Sequence, residues 1–229
     1  MIIEGALLKL PEILMGYDDV DGLYEANIAN LFAMAVIVEL NARNIDNPLE
    51  KIQMEKRYSS DKNIRCDMYL DFSKVILKNK LHKFGNYQRN WLEFKYFGGL
   101  DRNKGTETKS ENAGSIIYDI YRLIKFSDDS GEEGKYIVCC FNKHPKKYLA
   151  FGRQDGSDRE WLREIIKPGI NEWDFNLDEE PNTVKKVFKE ISNLKMRVKT
   201  RTTCFEPLEE DSQKSFWGYL IQILGSQIE

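Results

Sequence analysis

Residues 90–97 read NWLEFKYF, a stretch in which apolar side chains alternate with Glu93 and Lys95. Residues 64–72, IRCDMYLDF, alternate in the same way and place Asp67 among their polar positions. A period of two is typical of β-strands, because successive side chains point to opposite faces of a sheet. If the two strands are neighbours, Asp67, Glu93 and Lys95 gather on one face of that sheet. These two stretches therefore predict both a sheet and its functional face.

The remaining segments predict helices and further strands around this pair. Residues 23–43 contain neither Gly nor Pro and repeat apolar side chains at helical spacing, and residues 112–126 show a similar apolar stripe. Residues 135–141, KYIVCCF, form a continuous apolar run suited to a buried central strand. Shorter strands are expected at 52–58, 147–151, 196–205 and 215–224, and shorter helices at 158–166 and 183–194. The order α-β-β-β-α-β with a mixed tail predicts an α/β fold whose central sheet is flanked by helices.

Composition narrows the class of protein. The 229 residues include 34 Lys and Arg against 37 Asp and Glu, a formal net charge of −3, which excludes a uniformly basic nucleic-acid coat. Two histidines and four cysteines without a C-x-x-C pair argue against a structural zinc site. No apolar run approaches the roughly 20 residues that a membrane span needs. We therefore expect a soluble, cytoplasmic protein with reduced thiols and no membrane partner.

The polar residues of the two strands suit phosphoryl chemistry. Mg²⁺ prefers carboxylate oxygens completed by water and phosphate oxygens, and Asp67 and Glu93 supply two carboxylates from neighbouring strands. Lys95, two positions beyond Glu93, projects to the same side of the strand. An ammonium group there is placed to orient or deprotonate an attacking water and to stabilise negative charge on a phosphate.

The order of these residues resembles the PD-(D/E)XK nuclease superfamily, which includes many restriction endonucleases. The resemblance rests on RCD at residues 65–67, on LEFK at residues 92–95, and on the helix and apolar strand that follow them. It covers roughly residues 23–151 and nothing recognisable in the tail. One position departs from the signature, because Cys66 stands where the superfamily has proline.

The resemblance assigns a role to each candidate site residue. By it, Asp67 and Glu93 bind the metal ion, the carbonyl group of Phe94 adds a further ligand, and Lys95 is the catalytic lysine. Glu25 is similar to the acidic residue that many members carry on the helix before the sheet.

The same resemblance implies a fold and an activity. It implies a restriction endonuclease-like mixed sheet with an αβββαβ core at residues 1–155. The mixed pattern of the tail, which the resemblance does not cover, predicts a C-terminal αβ extension at residues 156–229 packed on that core for DNA contact or dimerisation. The activity implied is a Mg²⁺-dependent DNA endonuclease of restriction type, with Mn²⁺ as another metal, acting on double-stranded DNA as a homodimer. Two alternatives stay open: a non-catalytic nucleic-acid-binding or assembly protein that keeps the fold, and a nuclease acting on RNA or branched DNA.

Charge segregation predicts where a polyanion binds. The connection between the two site strands has five basic side chains and no acidic one over residues 73–89: Lys74, Lys78, Lys80, Lys83 and Arg89. Residues 185–201 are also strongly basic, whereas residues 172–180 carry only acidic charges. We expect the basic connection and the basic tail to contact the phosphate backbone, although a run of lysines is equally typical of a solvated face.

Other interpretations of the site residues also remain open at this point. An acidic residue followed two positions later by lysine also occurs at Glu107 and Glu133, both expected in polar loops, so the triplet alone carries little weight. Asp71 shares the strand face of Asp67 and is an alternative ligand. Glu25 is equally explained by the preference for acidic residues in the first turn of a helix. The alternative to a metal site at Glu93 is a solvated strand face or a degenerate site.

Overall fold

The fold is a mixed α/β arrangement in which one sheet lies between two sets of helices. A computed structural model describes residues 2–16, 22–58, 63–75, 87–98, 108–126, 133–153, 156–189, 191–207 and 216–229. The helices are α1 (Ile2–Met15), α2 (Glu25–Ala42), α3 (Lys109–Phe126), α4 (Glu160–Ile166) and α5 (Asn182–Phe188). The strands are β1 (Ile52–Met54), β2 (Met68–Asp71), β3 (Arg89–Phe97), β4 (Glu133–Phe141), β5 (Gly169–Asn176), β6 (Lys195–Phe205) and β7 (Trp217–Ile228).

Seven strands form the sheet in the order β1-β2-β3-β4-β7-β6-β5. Strands β3 and β4 pair in parallel, and every other neighbouring pair is antiparallel. Parallel neighbours require a crossover connection, and α3 lies between β3 and β4 in the chain. The predicted α/β class with a central mixed sheet flanked by helices is therefore confirmed.

Helices cover both faces of the sheet, so side chains of β3 are buried on either side. Leu92 and Phe94 belong to the apolar core shared with α1 and α2, whereas Trp91 and Phe97 belong to the core shared with α3, α4 and α5. The alternative of a solvated strand face does not hold for Glu93, because this residue is only 1% exposed. The polar residues of β3 lie inside a second core rather than at the surface.

The C-terminal part of the chain continues the same sheet. Strand β7 pairs with β4 from Lys135 opposite Ile223 to Phe141 opposite Trp217, and β6 then pairs with β7. The predicted boundary between residues 155 and 156 falls beside two residues outside the described ranges. The division into a core and an extension stays a prediction, but the two parts share one hydrogen-bonded sheet.

Three elements differ in kind from those expected, and two others are shorter: the strand expected at 52–58 ends at Met54 and the helix expected at 183–194 ends at Phe188. Helix α1 was not predicted, because Pro11 interrupts its sequence pattern, yet it buries an apolar stripe and tolerates the missing amide donor. Strand β5 was not predicted. It includes the start of the acidic segment at residues 172–180, whose charged side chains within the strand point to solvent while Trp173 and Phe175 are buried. Residues 147–151 are not a strand, because the amide groups of Tyr148 and Leu149 bond to the carbonyl of Pro145 in a tight turn.

None of the described helices combines the length and apolar character that crossing a membrane requires.

Candidate active site

The register of β2 and β3 brings Asp67 to Glu93. Met68 pairs with Leu92, so Asp67, just before β2 begins, continues the pairing toward Glu93. Asp67 Oδ2 accepts a hydrogen bond of 2.7 Å from the backbone amide of Phe94. The two carboxyl groups also lie close enough for their charges to interact. The predicted meeting of these two acidic residues is present in the structure.

Lys95 joins this pair from the same face of β3. Its Nζ lies 2.8 Å from Asp119 Oδ2, an ion pair without the angles of a well-directed hydrogen bond, and donates to Glu25 Oε1 at 3.3 Å. Glu25 begins α2, and its Oε2 accepts from the backbone amide of Tyr96 at 3.4 Å. All four side chains that the sequence singled out, those of Asp67, Glu93, Lys95 and Glu25, therefore lie in one cluster.

The structure adds three residues that sequence reasoning missed. Arg122 on α3 lies 3.2 Å from Glu93 Oε1 and 3.0 Å from Asp119 Oδ1, and it donates to the backbone carbonyl of Arg65 at 2.5 Å. Tyr58 donates a hydrogen bond to Glu93 Oε1. A signal for two of the three existed in the sequence, because Asp119 and Arg122 stand three residues apart within an otherwise apolar helix stripe.

The cluster has more acidic groups than basic ones. It contains four carboxyl groups, Glu25, Asp67, Glu93 and Asp119, against the two cations Lys95 and Arg122. Burial increases inward, because the side chain of Glu25 is 37% exposed, that of Lys95 is 14% exposed, and that of Asp119 is 3% exposed. Solvent therefore reaches the cluster from the end where α2 begins.

Burial shifts the protonation equilibria of the acidic residues. Desolvation, followed by the nearby charges of Asp119 and Asp67, raises the pKa of Glu93 well above its ordinary value. Desolvation also raises the pKa of Asp67, although the Phe94 amide and Lys95 oppose it. The pKa of Glu25 is raised by desolvation, again with Lys95 acting against it. Three carboxyl groups thus hold protons more tightly than they do in water.

The two cations of the cluster keep their charge although they are partly buried. Desolvation alone lowers the pKa of Lys95, but Asp119 and Glu25 outweigh it and raise the pKa above the ordinary value of a lysine. The pKa of Arg122 is also raised, because Glu93 and Asp119 outweigh its desolvation. Both side chains are therefore cations at neutral pH.

The donor set fits an incomplete magnesium site. Within the described ranges, no group of three or more His, Cys, Asp or Glu side chains has the arrangement of a metal-binding cluster. Mg²⁺ commonly uses only one or two carboxylates and completes its shell with waters and phosphate oxygens, which Asp67 and Glu93 match. The crowding of four carboxyl groups around two cations and the raised pKa values of both acids are also what bound Mg²⁺ would relieve.

Two other acidic residues that the sequence analysis considered are not part of this cluster. Asp71, the alternative ligand, ends β2 opposite Arg89, and its Oδ1 accepts from the backbone amide of Ser73 at 2.9 Å. It lies four positions from Asp67, roughly 13 Å along an extended strand, and cannot replace it. Glu133 was expected in a polar loop, but it begins β4, and its Oε2 accepts a hydrogen bond from the indole of Trp91 at 2.7 Å.

The predicted phosphate-contacting residues are only partly described. Lys74 follows β2 and Arg89 begins β3, and both are exposed. Lys78, Lys80 and Lys83 lie outside the described residues. A nucleic-acid-binding role for all five stays a prediction.

No family model, curated protein or solved structure matches the chain. The resemblance to the PD-(D/E)XK superfamily therefore rests on the chain's own residues. It remains a prediction, and so do the roles that it assigns to Asp67, Glu93, Phe94, Lys95 and Glu25.

Proposed function

We propose that this protein is a Mg²⁺-dependent endonuclease of double-stranded DNA with a restriction endonuclease-like core. One observation carries the proposal: residues widely separated in the chain converge on one face of the sheet, with Glu25 reaching from α2, Asp67 before β2, and Glu93 and Lys95 within β3. Two adjacent carboxyl groups beside a buried ammonium form the arrangement that a metal-assisted attack on a phosphodiester needs.

Each side chain then has a distinct part in hydrolysis. Asp67 and Glu93 would hold Mg²⁺, and the Phe94 carbonyl would add a ligand. Bound Mg²⁺ would polarise a phosphoryl oxygen and lower the pKa of its water. The hydrogen bond from the Phe94 amide fixes Asp67, while Tyr58 and Arg122 fix Glu93, so both carboxylates are held in place before any substrate arrives.

Two of the three roles considered for Lys95 suit its surroundings. Its pKa lies above that of an ordinary lysine, so the side chain keeps its proton at neutral pH and is a poor base. As a cation it can donate to a nonbridging phosphate oxygen and stabilise the charge that develops in the transition state. We therefore assign Lys95 to charge stabilisation and to orienting water rather than to proton abstraction.

One observation favours a second candidate, a non-catalytic DNA-binding protein that keeps this fold. Glu93 is 1% exposed, and its Oε1 is already shared by Tyr58 and Arg122. A carboxylate engaged in this way is stable without a metal ion. The two candidates differ in one measurable property, which is turnover of DNA.

The test is incubation of the purified protein with supercoiled plasmid, linear phage DNA and RNA, each with Mg²⁺, with Mn²⁺ and with EDTA. We expect metal-dependent conversion of the plasmid to nicked and linear forms. Cleavage of RNA alone would instead assign the site to a ribonuclease. Absence of cleavage on every substrate, with DNA binding retained, would contradict the endonuclease and support the non-catalytic candidate.

A linkage between pH, Mg²⁺ and thermal stability follows from the raised pKa values. An acid whose pKa is higher in the folded protein adds stability below its unfolded pKa, and that stability is lost as pH rises through the folded value. As the pH falls from 8 to about 5, we expect the melting temperature of the metal-free wild type to rise relative to that of the Asp67→Asn, Glu93→Gln double variant. Mg²⁺ at ten times its Kd should add about 1.4 kcal/mol at pH 8, roughly 3 °C, and less at pH 5 because protons compete.

Differential scanning fluorimetry across this pH range checks the linkage. The comparison is a difference between two proteins, so carboxyl groups whose pKa values are lowered elsewhere, such as Glu39 and Asp71, cancel. Parallel melting curves for the two proteins at all pH values, with no response to Mg²⁺, would contradict both the raised pKa values and the metal site.

A further inference from the structure

A pair of arginines lies beside the candidate active site on what we term the hairpin arm, residues 55–58 and 63–67. The arm extends the antiparallel pairing of β1 and β2 beyond the strands themselves. Its backbone bonds run from Glu55 N to Asp67 O at 3.0 Å, from Cys66 N to Lys56 O at 2.9 Å, and from Tyr58 N to Ile64 O at 3.1 Å. Between them, Arg57 and Arg65 form a bridge and stand directly opposite each other.

The two sides of the arm differ sharply in burial. Tyr58 and Cys66 are buried in the core that includes α3, whereas Arg57 and Arg65 are exposed. Side chains of directly opposite residues point to the same side of an antiparallel pair, about 5 Å apart at Cβ. Within the described part of the chain, neither guanidinium group forms an ion pair. Among the described residues these two like charges have no ion-pair partner, and their repulsion disfavours the arm in the free protein.

Contacts on both strands fix the arm to the site. Tyr58 donates to Glu93 Oε1, and the carbonyl of Arg65 accepts from Arg122, which also pairs with Glu93. Arg65 stands two residues before Asp67, so at most about 7 Å separate their Cα atoms. An arginine side chain is long enough to reach a phosphate next to the one that a metal ion held by Asp67 and Glu93 would bind.

We propose that Arg57 and Arg65 form a phosphate-binding pair that holds the backbone of duplex DNA beside the Asp67 and Glu93 carboxylates. This inference rests on the proposed function, and it names where the substrate lies on the molecule. Guanidinium groups bind phosphate oxygens through two parallel hydrogen bonds, and a bound phosphate removes the repulsion between the two side chains. Phosphate contacts position the duplex without reading its sequence.

The test compares wild type with an Arg57→Gln, Arg65→Gln double variant in binding to a fluorescently labelled DNA duplex. Ca²⁺ replaces Mg²⁺ in these titrations so that the duplex stays intact, and anisotropy is recorded over a range of salt concentrations. We expect about tenfold weaker binding or more at low salt, a log–log salt slope lower by roughly 0.9 for each lost phosphate contact, and an equal loss on unrelated sequences. Melting temperature should stay the same or rise, because the repulsion is removed.

Arg163→Gln is the matched control. This arginine is exposed on α4, outside the basic segments expected to contact DNA, and its guanidinium lies 2.8 Å from Asp158 Oδ2. It should keep wild-type affinity and salt slope.

Wild-type affinity and slope in the double variant would overturn the inference, as would absence of duplex binding by the wild type. Failure of the endonuclease proposal gives a different result, namely no Mg²⁺-dependent cleavage while binding still depends on Arg57 and Arg65.

Discussion

Glu93→Gln should lower the rate of Mg²⁺-dependent DNA cleavage by about a thousandfold or more while the fold persists. The substitution keeps the shape of the side chain and leaves an oxygen to accept from Tyr58 and Arg122, but it removes the charge that a divalent cation needs. Alanine is a poorer choice, because at a buried position it would leave a cavity and strand both donors. The measurement is single-turnover cleavage of plasmid at saturating protein, with far-UV circular dichroism to verify folding.

Glu133→Gln provides a control in the same sheet. Glu133 is also buried, and the glutamine can still accept from the Trp91 indole, but the residue belongs to neither the carboxylate pair nor the lysine site. The Glu133→Gln protein should cleave DNA at a rate within a few-fold of the wild-type rate. Equal losses in both variants would indicate a general effect of removing buried charge, and unchanged cleavage in Glu93→Gln would place the chemistry elsewhere.

The elements around the site were largely predictable because their hydrophobic patterns are uninterrupted. The expected strands at 90–97 and 135–141 correspond to β3 and β4, and the helix expected at 112–126 is α3 with three further residues at its start. Alternation also placed Glu93 and Lys95 on one face of the sheet. Elements whose patterns are broken or charged, such as α1 and β5, were not predicted.

The surroundings of the site were less predictable because they depend on how elements pack. Alternation alone predicts Cys66 and Met68 on the same strand face. The chain bends at Asp67 before β2 begins, so Cys66 lies in the core that includes α3 and Met68 in the core that includes α1 and α2. Whether a strand face is solvated depends on helices contributed by distant parts of the chain. Contacts from Asp119 and Arg122 to β3 likewise require the rotation of α3 about its axis, which the sequence restricts to a stripe but does not fix.

Arg122 on α3 contacts both Glu93 on β3 and the backbone carbonyl of Arg65. Of the substitutions considered, its replacement should have the largest effect on the free energy of unfolding. The side chain is 18% exposed and compensates two carboxylates that are almost fully buried, Glu93 and Asp119. Removing one partner of a buried ionic group leaves uncompensated charge, which typically costs 3–5 kcal/mol. We expect Arg122→Met to lower the free energy of unfolding by about 3 kcal/mol at pH 7.5, seen as a urea midpoint lower by about 1 M.

The cause of this loss can be separated from simple loss of packing. Because the pKa of Glu93 is raised, lowering the pH protonates it and removes its need for a cation, so the deficit should shrink toward pH 5. Adding Glu93→Gln to Arg122→Met should likewise restore part of the stability, since the two residues interact directly. Arg163→Met is the control, because Arg163 is 56% exposed and pairs with an exposed Asp158 at 2.8 Å, a surface contact worth roughly 0–1 kcal/mol. A deficit for Arg122→Met that does not change with pH and is not relieved by Glu93→Gln would show that Arg122 contributes packing rather than charge, and the electrostatic account of the site would fail.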